Sequence, residues 1–316
     1  MRKFLACSGG GDRGIVLLGM INQLAKQKGI ESVKYDMMAG ISTGSLVTCL
    51  MSMIDHNNFF KELNDRVDIF ADPKFKVVDG WIYGELFNVI DAFVFHESLY
   101  SSKPLKTLIE QHFDLKTMKT PFVVGAYNKT LSTYETLHPT HETVLASCSL
   151  PIILPQVTIE KICPETKQLV KHVYEDGAVK HIIPVQEIKS YINEKQNEPV
   201  HIDILVCFPI NDTEMFFKML VPPDGNAMMR SARRSLADIM LNVLQNDLAS
   251  IASIVNVSTH TLMEKPCNIF KKDNITVQII SPDYGWHSNF TNMNKENSMK
   301  LFHSGENTVK HFYSKV

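Results

Sequence analysis

The chain has little of what marks a nucleic-acid binder, a metalloprotein or a membrane-spanning protein. Its 32 Lys and Arg are offset by 34 Asp and Glu, and no basic stripe of the kind that tracks a phosphate backbone runs along it. The tightest basic cluster, Arg230, Arg233 and Arg234, sits in a helical pattern and reads as a solvated helix face. The six cysteines (Cys7, Cys49, Cys148, Cys163, Cys207 and Cys267) show neither CxxC spacing nor a companion histidine cluster. No metal site is indicated, and most of them read as buried free thiols. No EF-hand or other calcium loop is recognisable. The longest apolar runs, Ile15 to Ile21 and Leu46 to Ile54, fall well short of the roughly 20 residues a spanning helix needs. Met1-Arg2-Lys3 leads straight into a strand-like run, without the apolar segment and cleavage site of a signal peptide. The expectation is a cytoplasmic, reducing location with peripheral membrane contact at most.

What is present is the composition of a globular protein, 44% hydrophobic and 21% charged over 316 residues, enough to bury a large core. Lys3 to Ser8 reads as a strand, and Ile15 to Lys28 carries Leu17, Leu18, Ile21 and Leu24 at helical spacing. Val33 to Ala39 reads as the next strand and Ser45 to Ile54 as the helix after it. Further strands are expected at Phe122 to Asn128, His201 to Phe208 and Ile275 to Ser281, and helices at Pro104 to Phe113, Val144 to Ser149 and Ala227 to Val257. Strands alternating with helices predict a three-layer α/β/α fold around a mainly parallel sheet, with its site at the strands' C-terminal ends. No linker is rich enough in Gly, Pro or Ser to mark a boundary, so residues 1–185 and 186–316 are expected to share one sheet.

Three local signals carry chemistry. Gly40-Ile41-Ser42-Thr43-Gly44 is a G-x-S-x-G between an expected strand and an expected helix, which is the setting of a nucleophile elbow. A helix N-cap serine in a glycine-rich loop would use the same residues. Gly9-Gly10-Gly11-Asp12-Arg13-Gly14 follows the first strand and offers backbone N–H groups to an anion at a helix start. As an oxyanion hole it would donate from Gly10 and Gly11 to an ester carbonyl attacked by Ser42. As Gly9-x-Gly11-x-x-Gly14 it also fits a dinucleotide fingerprint, with Asp36 placed 22 residues beyond Gly14 as the ribose ligand of an oxidoreductase. Against that, the elbow follows Asp36 directly, and a nicotinamide enzyme has no evident use for it. The third signal, Asp176-Gly177-Ala178, is by itself an ordinary turn, raised by the need of a serine for a base. The usual base is histidine, and His181, His201, His260, His287, His303 or His311 would complete the order Ser, Asp, His. None of them stands in an identifiable motif.

In this order the three elements resemble those of the patatin-like phospholipases, acyl hydrolases related to the cytosolic phospholipases A. The likeness covers roughly residues 3–185 well, and it extends through Ser98-Leu99-Tyr100 and Ala146 to Pro151. It implies a Ser-Asp dyad without histidine, in which Asp176 takes the Ser42 proton, Gly10 and Gly11 hold the oxyanion, and no metal or cofactor takes part. The implied activity is calcium-independent cleavage of fatty-acyl esters, of phospholipase A or lysophospholipase type, on a phospholipid or other acyl lipid at a membrane surface. A lipid-binding protein with an idle dyad is the remaining alternative. Asp12 departs from the family pattern, which often has an apolar or small residue there. Arg13 is a candidate for pairing with a lipid phosphate, or equally with Asp12 or Asp36. Val67 to Phe95, dense in aromatics, is the candidate lid or docking face, with the core as its other destination. Met215 to Pro223 is a second, shorter candidate.

Overall fold

The computed structural model describes residues 1–71, 98, 101–163, 165–195, 197–212, 214, 227–264, 267–282 and 295–315. Two expected surface elements therefore lie outside the described residues: most of Val67 to Phe95, and Met215 to Pro223.

The chain enters β1 (Arg2–Cys7), passes the glycine loop into α1 (Gly14–Lys28), and returns through β2 (Met37–Ile41) to α2 (Thr43–Ser52). The second strand starts later than its apolar run predicts. Gly29, at φ 82, ends α1, and Ile30–Val33 then form a 3-10 turn before β2 begins. The strand runs on to Ile41, so the serine of the elbow stands directly at its end. Then follow α3 (Phe59–Ala71), α4 (Lys103–His112), β3 (Phe122–Asn128), β4 (Thr133–Leu137), α5 (His141–Ser147), β5 (Val157–Ile162) and β6 (Leu169–Asp176). The last part holds α6 (Val185–Glu194), β7 (Val200–Leu205), α7 (Ala227–Val255), α8 (Thr259–Glu264), β8 (Cys267–Lys272), β9 (Ile275–Ile280) and α9 (Lys295–Lys315).

The nine strands of the described residues form one sheet, hydrogen-bonded in the order β5-β6-β3-β2-β1-β7-β9-β8 with β4 added on β3. The pairs β1 with β2, β2 with β3, β1 with β7 and β7 with β9 are parallel, and the hairpins at the two ends are antiparallel. From β1 the chain first builds outward to β2 and β3, and later places β7 and β9 on β1's other side. Crossovers between parallel strands are right-handed, so the helices that link parallel strands in these two halves cover opposite faces of the sheet. β1 is then the strand where the direction of building reverses. Ligands of open α/β sheets bind in the crevice at the carboxyl end of such a strand, and here the glycine loop leaves that end.

Two glycines set how closely the last helix packs on the first. A Cβ on Gly19 of α1 would collide with the Phe302 carbonyl, and one on Gly305 of α9 with that of Val16. The backbones of α1 and α9 therefore meet without intervening side chains. Gly305→Ala must push the two helices apart, an overpacking expected to cost about 1–3 kcal/mol. Denaturant unfolding with an unchanged midpoint would show that the helices do not meet this closely.

Candidate active site

The register of the strands assembles the site. Cys7 of β1 stands opposite Gly40 of β2 and Leu205 of β7. The glycine loop, the elbow and the segment after β7 therefore emerge at one level. β4 occupies Val124–Asn128 along one edge of β3, and the other edge is shared end to end by two strands. β2 pairs with it as far as Ile41 opposite Gly125, and β6 runs the other way to end with Asp176 opposite Ala126. The residue after Ile41 is Ser42. Two strands that point at one another thus bring Ser42 and Asp176 together from positions far apart in the chain.

Ser42 has φ 55 and ψ −127, a conformation disfavoured for any residue with a Cβ. The flanking glycines allow it: a Cβ on Gly40 would collide with the Gly44 backbone, and one on Gly44 with the Cys7 carbonyl. Thr43 begins α2, whose ten residues are all buried, and the helix N-terminus faces the serine. The turn is held from α5. Ser42 N–H donates to Ser147 Oγ (3.0 Å), Ser147 Oγ donates to the Gly125 carbonyl (2.6 Å), and Ser45 Oγ lies 2.7 Å from Ser147 Oγ. The Cys148 thiol donates to the Ser42 carbonyl (3.1 Å). Neither Ser147 nor Cys148 carries a motif of its own. Their only signal in the sequence is the Ala146 to Pro151 segment.

Asp176 is 1% exposed. Its Oδ1 accepts the Ala178 N–H at 2.8 Å, and among the described residues its Oδ2 has no hydrogen-bond partner. Burial pushes the carboxyl up to about 7, against the opposing pull of the Ala178 N–H and the nearby Ser42 hydroxyl. Gly177 lets the turn press on the elbow, since a Cβ there would meet the Gly125 carbonyl at 2.5 Å and Ile41 Cγ2 at 3.1 Å.

The glycine loop lies on the other side of the serine. A Cβ on Gly9 would be 3.3 Å from Ser42 Cβ and 3.8 Å from Ala178 Cβ. Gly9 N–H donates to the Ile182 carbonyl (2.9 Å), Ser8 N–H to Leu205 (3.0 Å) and Arg13 N–H to Gly10 (3.3 Å). Among the described residues, none accepts a bond from the Gly10 or Gly11 amide. Gly11 has φ 64, and a Cβ on Gly10 would collide with Cys207 Sγ. Cys207, which no sequence signal marks, thus forms the wall behind the loop. Gly14 opens α1, and Asp12 and Arg13 are buried between them, the guanidinium Nη1 3.8 Å from Asp12 Oδ1.

Several candidates do not reach the site. Asp36 precedes β2 and bonds to Arg2 (3.2 Å) and the Lys3 N–H (2.7 Å). It stands at the opposite end of the sheet from the glycine loop, a full strand or about 16 Å away at ~3.3 Å per residue. It can serve neither as a ribose ligand nor as a partner of Arg13, and this removes the main support of the dinucleotide reading. His181 is bonded to Asp247 (2.6 Å), His201 to Asp203 (3.0 Å) and His303 to Glu306 (2.8 Å). Among the described residues no group of three His, Cys, Asp or Glu could hold a metal ion, and no helix is long and apolar enough to cross a membrane.

A family model described as patatin-like phospholipase matches residues 5–188, more than half of the chain. The chain belongs to the patatin-like phospholipase family. Comparison with the curated proteins finds no match. Among solved structures, human GIVD cytosolic phospholipase A2 is similar at 9% identity and a TM-score of 0.50, over 98% of this chain and 58% of that one. VipD from Legionella pneumophila is matched at 12% identity and a TM-score of 0.42, over 99% of this chain and 67% of that one. At such identities the likeness to the human enzyme is one of fold. The chain spans less than two thirds of that enzyme's length. In this patatin-like chain the sheet is mixed but mostly parallel, as expected, with helices flanking it.

The buried Asp176 carboxyl has a measurable thermodynamic signature. A carboxyl at about 7 in the fold and near 3.8 when exposed holds its proton in the folded state across that interval. Ionising it therefore destabilises the fold as pH rises from about 4 to 7, by on the order of 4 kcal/mol in full. Asp176→Asn removes this penalty. The variant should be more stable than the parent at pH 8, with the difference shrinking to nothing towards pH 4. Denaturation curves showing equal stability at both pH values would mean that Asp176 is not raised.

Proposed function

We propose that the chain is a lipid acyl hydrolase that cleaves fatty-acyl esters through an acyl-enzyme on Ser42, with Asp176 as its base. One observation carries this reading. A buried carboxylate with an unpartnered oxygen, poised near neutrality, lies beside a serine hydroxyl on a strained elbow.

The steps follow from that placement. Ionised Asp176 takes the Ser42 proton on Oδ2 as Oγ attacks the ester carbonyl. The tetrahedral oxyanion is held by the Gly10 and Gly11 N–H groups and faces the N-terminus of α2. Collapse expels the alcohol portion of the lipid, which leaves with the proton from Asp176. Water then attacks the acyl-enzyme with Asp176 again as base, releasing the fatty acid and restoring Ser42. The buried Arg13–Asp12 pair supports a structural role for Arg13 in fixing the loop rather than contact with a lipid headgroup. The absence of any histidine bonded to Ser42 or Asp176 among the described residues favours the dyad over a triad. Within the class, phospholipase A or lysophospholipase activity is the proposal, on a lipid presented at a membrane surface and without calcium.

Ser42→Ala should fold normally and lose ester hydrolysis by about 10⁴-fold or more, and Asp176→Asn should lose nearly as much. A folded Ser42→Ala protein that keeps its activity would sink the assignment. For the parent enzyme, the logarithm of kcat/KM should rise with pH to a plateau above about pH 7, because only ionised Asp176 accepts the proton. Labelling with a fluorophosphonate separates this reading from an idle lipid-binding protein, since only an activated serine reacts. EDTA should leave hydrolysis of a soluble ester unchanged, and a loss restored by calcium would reveal a metal requirement.

A further inference from the structure

We propose that Asp247, on α7 and well beyond the matched family segment, is a positioning residue that ties the Asp176 turn to the glycine loop. Asp247 is fully buried, and both its oxygens are used. Oδ1 accepts from His181 Nδ1 at 2.6 Å, and Oδ2 accepts the N–H groups of Ile182 (2.6 Å) and Ile183 (2.9 Å). Three donors from three consecutive residues converge on one carboxylate, a stronger anchor than neutral hydrogen bonds supply.

The anchored segment is the far end of the turn that begins at Asp176. Lys180 and His181 N–H groups both donate to the Gly177 carbonyl at 3.0 Å, which makes residues 176–181 one compact unit. On its other side, the carbonyl of Ile182 accepts the Gly9 N–H. The peptide group of Ile182 therefore has its N–H on Asp247 and its carbonyl on the glycine loop. His181 is braced as well: its Nε2 meets Gln186 Nε2 at 3.1 Å, and the Tyr134 ring stands edge-on to it at 4.7 Å. With Nδ1–H donating to Asp247, Nε2 is left to accept from Gln186. This explains a histidine so near Asp176 in sequence that takes no part in the site.

Without Asp247, residues 181–183 lose their hold on α7, and Gly9 loses the fixed acceptor that sets the loop against Ser42. The catalytic consequence rests on the Ser42–Asp176 reading, while the structural one does not. Residue-resolved hydrogen exchange on the full chain tests the second. Asp247→Ala should speed exchange of the Gly9, Ile182 and Ile183 amides by about ten-fold or more while Ala39 and Val124 stay protected. Kinetics on a soluble ester test the first, with kcat expected to fall about 10–100-fold at nearly constant KM, since a misplaced donor weakens the transition state. Asp247→Asn keeps one acceptor oxygen and should fall between the parent and Asp247→Ala in both measurements; it carries the test if Asp247→Ala does not fold. A Gly9 amide that exchanges as slowly as in the parent overturns the proposal. So does a loosened loop with intact kcat. If the parent hydrolyses no ester, the Ser42 reading has failed, and the exchange rates alone decide whether Asp247 clamps the loop.

Discussion

Along a single edge of β3, a parallel strand and an antiparallel strand meet end to end, and the chemistry of the molecule depends on that abutment. β2 arrives at Ile41 opposite Gly125, and β6 arrives from the other direction at Asp176 opposite Ala126. A sheet with β2 alone on that edge would carry the serine with no carboxylate to face it. The antiparallel course of β6 makes the carboxylate possible, because only an incoming strand can end where β2 ends. The small residues at the junction follow from the same constraint, since any side chain at Gly125, Gly177, Gly40 or Gly44 would collide with its neighbours.

Such a junction is energetically unfavourable taken alone. It holds a serine at positive φ and a carboxylate with one oxygen unpartnered, each a cost of a kcal/mol or more. It persists because its surroundings are rigid. α2 is buried along its whole length, and Ser147 joins the serine amide, Ser45 and the Gly125 carbonyl in one network. The same burial that destabilises the ionised carboxyl brings its pKa towards neutrality, where a base is effective. On the proposed mechanism, stability given up at this point is what makes Asp176 able to accept a proton.

The parts of the fold legible in the sequence are those whose signal is local. β1, β3, β7 and β9 and the helices α1, α2 and α7 announce themselves by apolar runs or helical periodicity, and their ends fall within a few residues of expectation. The elbow, the glycine loop and Asp176-Gly177-Ala178 are equally local, because a turn imposes its glycines on adjacent positions. The start of β2 was displaced by a 3-10 turn that apolar content does not reveal. The hairpins of β4, β5 and β8 did not show, since their alternation is interrupted by charged residues such as Glu135, Glu160 and Lys161; across strands Glu135 pairs with Lys161 and Glu160 with Lys171. Ser147 showed only through the Ala146 to Pro151 likeness, and Cys207 and Asp247 not at all, for a deeper reason. Each acts on the site through contacts spanning many residues, and one serine, cysteine or aspartate in a helix or strand end has no pattern to distinguish it.

These three residues also bear on how far the site extends along the chain. Ser42, Asp176 and the glycine loop all fall within residues 5–188, the segment that carries the family likeness. The wall behind the loop does not: Leu205 accepts the Ser8 N–H, and Cys207 fills the space that keeps Gly10 a glycine. β7, which delivers both, is held between β1 and β9. The reversal in the direction of building at β1, which opens the crevice for the glycine loop, exists only because β7 flanks β1 on the side away from β2. A protein ending near residue 188 would keep Ser42 and Asp176 in its sequence, yet β1 would be an edge strand and the glycine loop would lack its backing. The serine and the aspartate are supplied by the family segment, and the geometry of the glycine loop beside the serine is set by the strands and helix that follow it.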